Sequence, residues 1–212
     1  MPPPAVIFDF DGTLADTFSK GILILNELAR EFGFRQIETD AIPGLKNFTS
    51  MELIQYLGIP LLQVPLVMNR ARKELYREID QIEAFSGWKD VLGQLKDAGS
   101  LLGIVTSNSP DNVEAFLKRQ RLEYFDFVYS MTGLWGKKKR LEKALKGQKL
   151  KPSQTVYVGD EVRDIEAAKK VGIPMIAVTW GFNTPKALQA YHPEHLIETP
   201  LQLLEVLAQR FP

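Results

Sequence analysis

The chain has 212 residues, 45% of them hydrophobic, with 26 Lys plus Arg balanced by 26 Asp plus Glu. That length and apolar content allow one substantial core, alone or with a smaller satellite, and a formal charge of zero gives no global attraction to nucleic acid or an anionic membrane. No cysteine is present, which excludes a disulfide framework, a thiolate zinc site and a cysteine nucleophile.

Ala5-Val6-Ile7-Phe8 is a continuous apolar run and reads as a strand buried on both faces of a parallel sheet. No basic segment precedes it and the run meets Asp9 within a few residues, so neither a signal peptide nor a membrane span is expected and the expected location is the cytoplasm. From 16 to 85 the pattern changes: Ile22, Leu25, Leu28, Ala29 and Phe32 share one helix face, and further helices are expected near Ser50 to Leu57 and Val64 to Ile79. In the last of these, Arg70, Arg72, Lys73, Glu74, Arg77 and Glu78 read mostly as a solvated face. The expectation is an all-helical insertion over 16–85 in an α/β core formed by 1–15 and 86–212.

Core strands are expected at Leu101 to Val105, Thr155 to Val158 and Met175 to Val178, with a weaker one at Phe127-Val128-Tyr129. Ser109-Pro110 starts a helix, in which Val113, Phe116 and Leu117 repeat at helical spacing. Strands alternating with helices imply a doubly wound, Rossmann-like α/β sheet. Lys143, Lys146 and Lys149 read as the charged outer face of a helix, and His192 and His195, near Pro193, as a surface loop after the last strand.

In such sheets ligands bind beyond the carboxyl ends of the strands. Four ends are legible: Asp9-Phe10-Asp11-Gly12-Thr13, then Thr106-Ser107-Asn108, then Gly159-Asp160-Glu161 with Asp164, then Thr179-Trp180-Gly181. The first three suit phosphate chemistry. Asp160 and Asp164 face one place if a helix starts near Glu161. Several carboxylates gathered together repel one another unless a cation is present, and an all-oxygen donor set favours Mg²⁺.

The ordered set Asp9-Phe10-Asp11-Gly12-Thr13, Thr106, a lysine and Gly159-Asp160 with Asp164 resembles the motifs of haloacid dehalogenase superfamily hydrolases. The helical insertion is similar to the cap of their phosphoglycolate phosphatase-like branch. The resemblance implies that Asp9 attacks phosphorus and that Asp11 protonates the leaving oxygen and then activates water. It also implies that Thr106 binds the phosphoryl group with backbone N–H groups of Phe10, Asp11 and Ser107, and it brings Asn108 into the substrate site. Mg²⁺ would be held by the Asp9 carboxylate, the Asp11 carbonyl and Asp160, with Asp164 acting through water or from behind.

Among Lys137-Lys138-Lys139-Arg140, Lys137 is the expected site lysine, because it follows the Trp135-Gly136 turn while Lys138 to Arg140 would begin the next helix and point to water. Glu161 either joins the metal site or caps the helix. Within the resemblance, Asp11 favours ester hydrolysis over halide displacement, since only an alkoxide needs a proton. The expected reaction is hydrolysis of a small phosphate monoester, phosphoglycolate first, with nucleoside monophosphates or sugar phosphates as alternatives. A reading from another class is a catalytically idle binding module that keeps the fold. Lys46, Asn47 and Thr49 face either the site or solvent. The expected partner is a small phosphorylated metabolite rather than nucleic acid or membrane, and the expected state is a monomer or weak homodimer.

Overall fold

The computed structural model describes residues 3–130 and 136–211. In chain order the strands and α-helices are β1 (Ala5–Phe8), α1 (Phe18–Phe32), α2 (Ile42–Leu45), α3 (Ser50–Leu57), α4 (Val64–Arg77), α5 (Trp88–Asp97), β2 (Leu101–Thr106), α6 (Pro110–Gln120), β3 (Phe127–Ser130), α7 (Lys137–Gly147), β4 (Thr155–Gly159), α8 (Val162–Val171), β5 (Met175–Val178), α9 (Pro185–Ala190), β6 (His195–Ile197) and α10 (Gln202–Arg210). The six strands form one sheet in the order β3-β2-β1-β4-β5-β6, and every neighbouring pair is parallel. This is the doubly wound, Rossmann-like α/β arrangement expected from the sequence.

Parallel strands covered on both faces need apolar side chains at every position, and β1 shows how they are shared out. Val6 and Phe8 pack with Trp88, Leu92 and Phe116 on one side, while Ile7 packs with Leu141, Ile165 and Ala168 on the other. Phe8 in turn meets Trp88 edge to face, with centroids 5.3 Å apart. Chain order reverses about β1, with β2 on one side and β4 on the other, so the crevice at the carboxyl end of β1 is the topological switch point.

Between β1 and α5 the structure is helical, and its buried face joins the same apolar cluster as one face of the sheet, through Ile24, Leu28, Ile54, Leu57, Val67 and Leu75. The two passes of chain that link this segment to the sheet run side by side. Asp16 donates its backbone N–H to the Glu83 carbonyl at 2.9 Å, and Phe85 donates to Leu14 at 3.1 Å. α3 begins at a capping box in which Thr49 and Glu52 satisfy each other's backbone N–H groups.

Three expectations are corrected. His195 is not in a loop but opens β6, paired with Ile176 of β5; a three-residue edge strand is too short to show periodicity. Arg72 does not lie on a solvated face: it is only 8% exposed, on the stripe shared by Met68 and Leu75. Arg140 does not point to water but is buried, because α7 starts at Lys137 and turns its fourth residue under the sheet. Trp135, part of the turn expected before Lys137, lies outside the described residues. Among the described residues no helix is long and apolar enough to cross a membrane.

Candidate active site

β1 stops at Phe8, level with Ile104 on one side and Val158 on the other, so Asp9 emerges at the rim between β2 and β4. Its backbone N–H donates to Val158 at 2.8 Å, which extends the ladder by one bond, and its Oδ1 accepts the Phe10 N–H at 2.8 Å. Lys137, on the first turn of α7, donates from Nζ to Asp9 Oδ2 and to Asp164 Oδ1. Lys138 and Lys139 are exposed. All three members of that ion-paired group are buried.

The end of β4 supplies the facing acid. Asp160 accepts the Thr13 hydroxyl at 2.7 Å on Oδ1 and the Phe182 N–H at 2.8 Å on Oδ2, so its carboxylate is held from two loops. Asp164 turns back from α8, and its Oδ2 accepts the N–H groups of Asp160 and Glu161 at 3.2 and 3.1 Å. These bonds satisfy donors that the start of a helix leaves open. Room for the acids is made by glycine. At Gly12, where φ is 72°, a Cβ would lie 2.2 Å from Asp160 Oδ2 and 2.5 Å from the Phe182 ring.

The end of β2 forms a tight turn. Buried Thr106 accepts the Asn108 N–H at 3.0 Å, and the Ser107 carbonyl accepts Arg72 Nε at 3.0 Å from the helical insertion. Asn108 directs its side-chain amide at Asp11, donating to both carboxylate oxygens at 2.9 and 3.1 Å, while its own Oδ1 accepts Asn112 Nδ2 at 2.7 Å. The Phe10 ring points away into the core, edge to face with Phe116 at 5.1 Å, so only its backbone serves the rim.

One oxygen from each of Asp9, Asp160 and Asp164 lies within 4.8 Å of the others, and all three residues are buried. Burial raises Asp9 to about 7, against the pull of Lys137. Burial, then the charges of Glu161, Asp164 and Asp9, drive Asp160 well above the ordinary range. Burial works to lower the pKa of Lys137, but Asp164 and Asp9 overcome it and raise its pKa. Three buried carboxylate oxygens this close together fit a small, hard divalent cation, which would relieve the repulsion between them. The Asp11 carboxylate is turned aside to Asn108, leaving its backbone as its route to such an ion. Burial raises Asp11 as well, and Asn108 opposes this.

The structure therefore brings together Asp9, Asp160, Asp164 and Lys137 at one point, with Asp11, Thr106, Ser107 and Asn108 beside it. Sequence reasoning missed Arg72, Arg163, Asn183 and the Phe182 N–H. Asn183 accepts the Val162 N–H at 2.9 Å and donates to the carbonyls of Lys46 and Phe48, both at 2.9 Å, fastening the insertion to the start of α8. Lys46 and Thr49 line a cavity of about 230 Å³ that also reaches Asp11, Ser107 and Asn108. Glu161 precedes α8, accepts the Ser50 hydroxyl at 3.1 Å and pairs with Arg163.

Residues 6–178 match the family model for haloacid dehalogenase-like hydrolases. The chain is 37% identical over 206 residues to a phosphoglycolate phosphatase of Synechococcus elongatus, covering 97% of both proteins. It is also 28% identical over 216 residues to the pyrophosphatase PpaX of Bacillus velezensis, covering 95% of each. A solved haloacid dehalogenase-like hydrolase from Streptococcus pneumoniae superposes with a TM-score of 0.78 at 25% identity, over 97% of this chain and 98% of that one. The chain belongs to the haloacid dehalogenase-like hydrolases.

Proposed function

We propose that this chain, a phosphatase of the haloacid dehalogenase family, uses Mg²⁺ and an aspartyl-phosphate on Asp9 to hydrolyse a small phosphate monoester, phosphoglycolate first among the candidates. The observation that carries the reading is the meeting of Asp9, Asp160 and Asp164 within 4.8 Å at the switch point, beside Lys137. The phosphoglycolate phosphatase relative supports the substrate.

A carboxylate oxygen of Asp9 attacks phosphorus in line, and the bond from phosphorus to the ester oxygen breaks. Asp11, whose pKa is raised by its burial, gives its proton to the departing alkoxide and then, as a carboxylate, takes one from water. That water attacks the aspartyl-phosphate, which releases phosphate and restores Asp9. The Asn108 amide keeps Asp11 aimed through both steps. Thr106 and the Ser107 N–H bind the phosphoryl oxygens, and Lys137 offsets negative charge on Asp9 and the phosphoryl group. The carboxylates of Asp9 and Asp160 and the Asp11 carbonyl, with Asp164 behind, would hold Mg²⁺, which would supply electrostatic neutralisation.

The segment 16–85 acts as a cap over the core of 1–15 and 86–212. The paired passes at Leu14 to Asp16 and Glu83 to Phe85 support this, because opening about two adjacent connections needs little rearrangement. Phosphate release from phosphoglycolate and p-nitrophenyl phosphate tests the reading: release requires Mg²⁺ and stops with EDTA. Equal release under both conditions removes the metal-assisted mechanism.

The same acids govern stability. In the metal-free chain Asp9 titrates near 7 rather than at 3.8, so between those values the folded state holds a proton that the unfolded state has lost. Stability from this group therefore falls as pH rises through that window. Thermal melts of the metal-free protein should show Tm falling from pH 5 to pH 8, with Mg²⁺ raising Tm most at pH 8. A Tm insensitive to Mg²⁺ at both values contradicts the shared ion.

A further inference from the structure

The cavity carries charge that none of these steps uses. Arg163, on the first turn of α8, has a side chain only 23% exposed and lines the cavity together with Arg72 and Lys46. A terminal nitrogen of Arg163 pairs with Glu161, whose other carboxylate oxygen accepts the Ser50 hydroxyl at 3.1 Å. Its Nε is buried with no hydrogen-bond partner among the described residues. Much of the remaining wall is hydrocarbon, including Leu25 and Met68. Arg163 lines this cavity with little water around its charge, and a guanidinium so placed gains strongly from an anionic acceptor. The charged lining residues are three cations, Lys46, Arg72 and Arg163, against two acids, Asp11 and Glu161.

We propose that Arg163 recognises a second anionic group on the leaving group, whether a short alcohol bearing a carboxylate or phosphate or a phosphate itself, with Arg72 contributing a second cation from the insertion. The proposal rests on the phosphatase reading and names its substrate class: compact phosphate compounds with two acidic groups. A volume of about 230 Å³ is below the span of roughly 300–1,000 Å³ usual for drug-sized ligands, which limits the alcohol to a short one. Glu161 holds the guanidinium when no substrate is bound, and Ser50 ties that arrangement to the insertion. Arg163 is thus a specificity residue, separate from the acids that carry out the chemistry.

The test compares kcat/KM of the Mg²⁺-loaded protein for ethyl phosphate, 2-phosphoglycolate and pyrophosphate, in the parent and in Arg163→Gln. The parent should prefer at least one doubly acidic compound over ethyl phosphate by about tenfold or more, and Arg163→Gln should cut that ratio by about tenfold. The compound whose advantage collapses tells whether the second group is carboxylate or phosphate. Arg163→Lys should recover part of the ratio, because it keeps the charge and loses the fork. A parent preference below tenfold overturns the subsite, and that result is available even if the variant does not fold. So does a ratio unchanged in Arg163→Gln, since a merely structural role would lower all three rates together. Brisk release from p-nitrophenyl phosphate without any such preference sinks the subsite alone, whereas no release from any compound sinks the phosphatase reading and the subsite with it.

Discussion

Asp9→Asn lowers the steady-state rate of phosphate release by at least about 1,000-fold, the scale seen when a covalent nucleophile is removed. The amide oxygen can still accept the Phe10 N–H that Asp9 Oδ1 accepts at 2.8 Å, while the amide NH2 replaces the oxygen that met Lys137, which keeps its pair with Asp164, and the attacking oxygen is lost. Stability should move the other way. Burial outweighs Lys137 in setting the pKa of Asp9 near 7, which means that the charged form is disfavoured in the fold, and a neutral isostere removes that cost. Metal-free Asp9→Asn should therefore melt no lower than the parent at pH 8. A variant that is both active and less stable would contradict the placement of Asp9 among repelling acids.

Lys137→Ala is expected to damage both activity and stability. Its ammonium is buried between Asp9 and Asp164, and removing one side of a buried ion pair costs on the order of 3–5 kcal/mol, because the remaining charge is stranded. In a chain of this size that corresponds to a fall in Tm of about 10 °C. The fall should be smaller at pH 5, where Asp9 can take up a proton, than at pH 8. The rate of phosphate release should drop about 100-fold through loss of charge stabilisation at the phosphoryl group. Lys138→Ala and Lys139→Ala, on the exposed side of α7, should shift stability by no more than about 0.5 kcal/mol. Melting curves at two pH values with steady-state rates for all three variants would check this, and a Lys138 or Lys139 phenotype equal to that of Lys137 would overturn it.

The strands at the centre of the sheet were legible because burial on both faces demands unbroken apolar runs, and β1, β2, β4 and β5 have them. β6 was not, since His195 begins a three-residue edge strand that exists through its pairing with β5. The acids were legible because they end apolar runs. Arg72 was hidden by its charge: arginine on a helix reads as solvated, although its place on the Met68 and Leu75 stripe was visible in the spacing. The fourth strand end was passed over for a different reason. Its contribution to Asp160 is the Phe182 backbone N–H, and a backbone donor leaves no mark in residue type. Asn183 links residues far apart in the chain, 135 and 137 positions from the carbonyls it holds, and only the folded arrangement reveals that link.

The central claim is that Asp9 becomes phosphorylated. Asp11→Asn keeps a side chain that can meet Asn108 but cannot activate water, and p-nitrophenolate leaves without needing a proton, so the phosphoryl group should transfer and then stay. Acid-quenched Asp11→Asn mixed with p-nitrophenyl phosphate and Mg²⁺, digested and read by mass spectrometry, should carry one phosphoryl group on the peptide containing Asp9, with a matching burst of p-nitrophenolate. A burst with the phosphoryl group on another residue, or turnover with no phosphorylated peptide, would contradict the account.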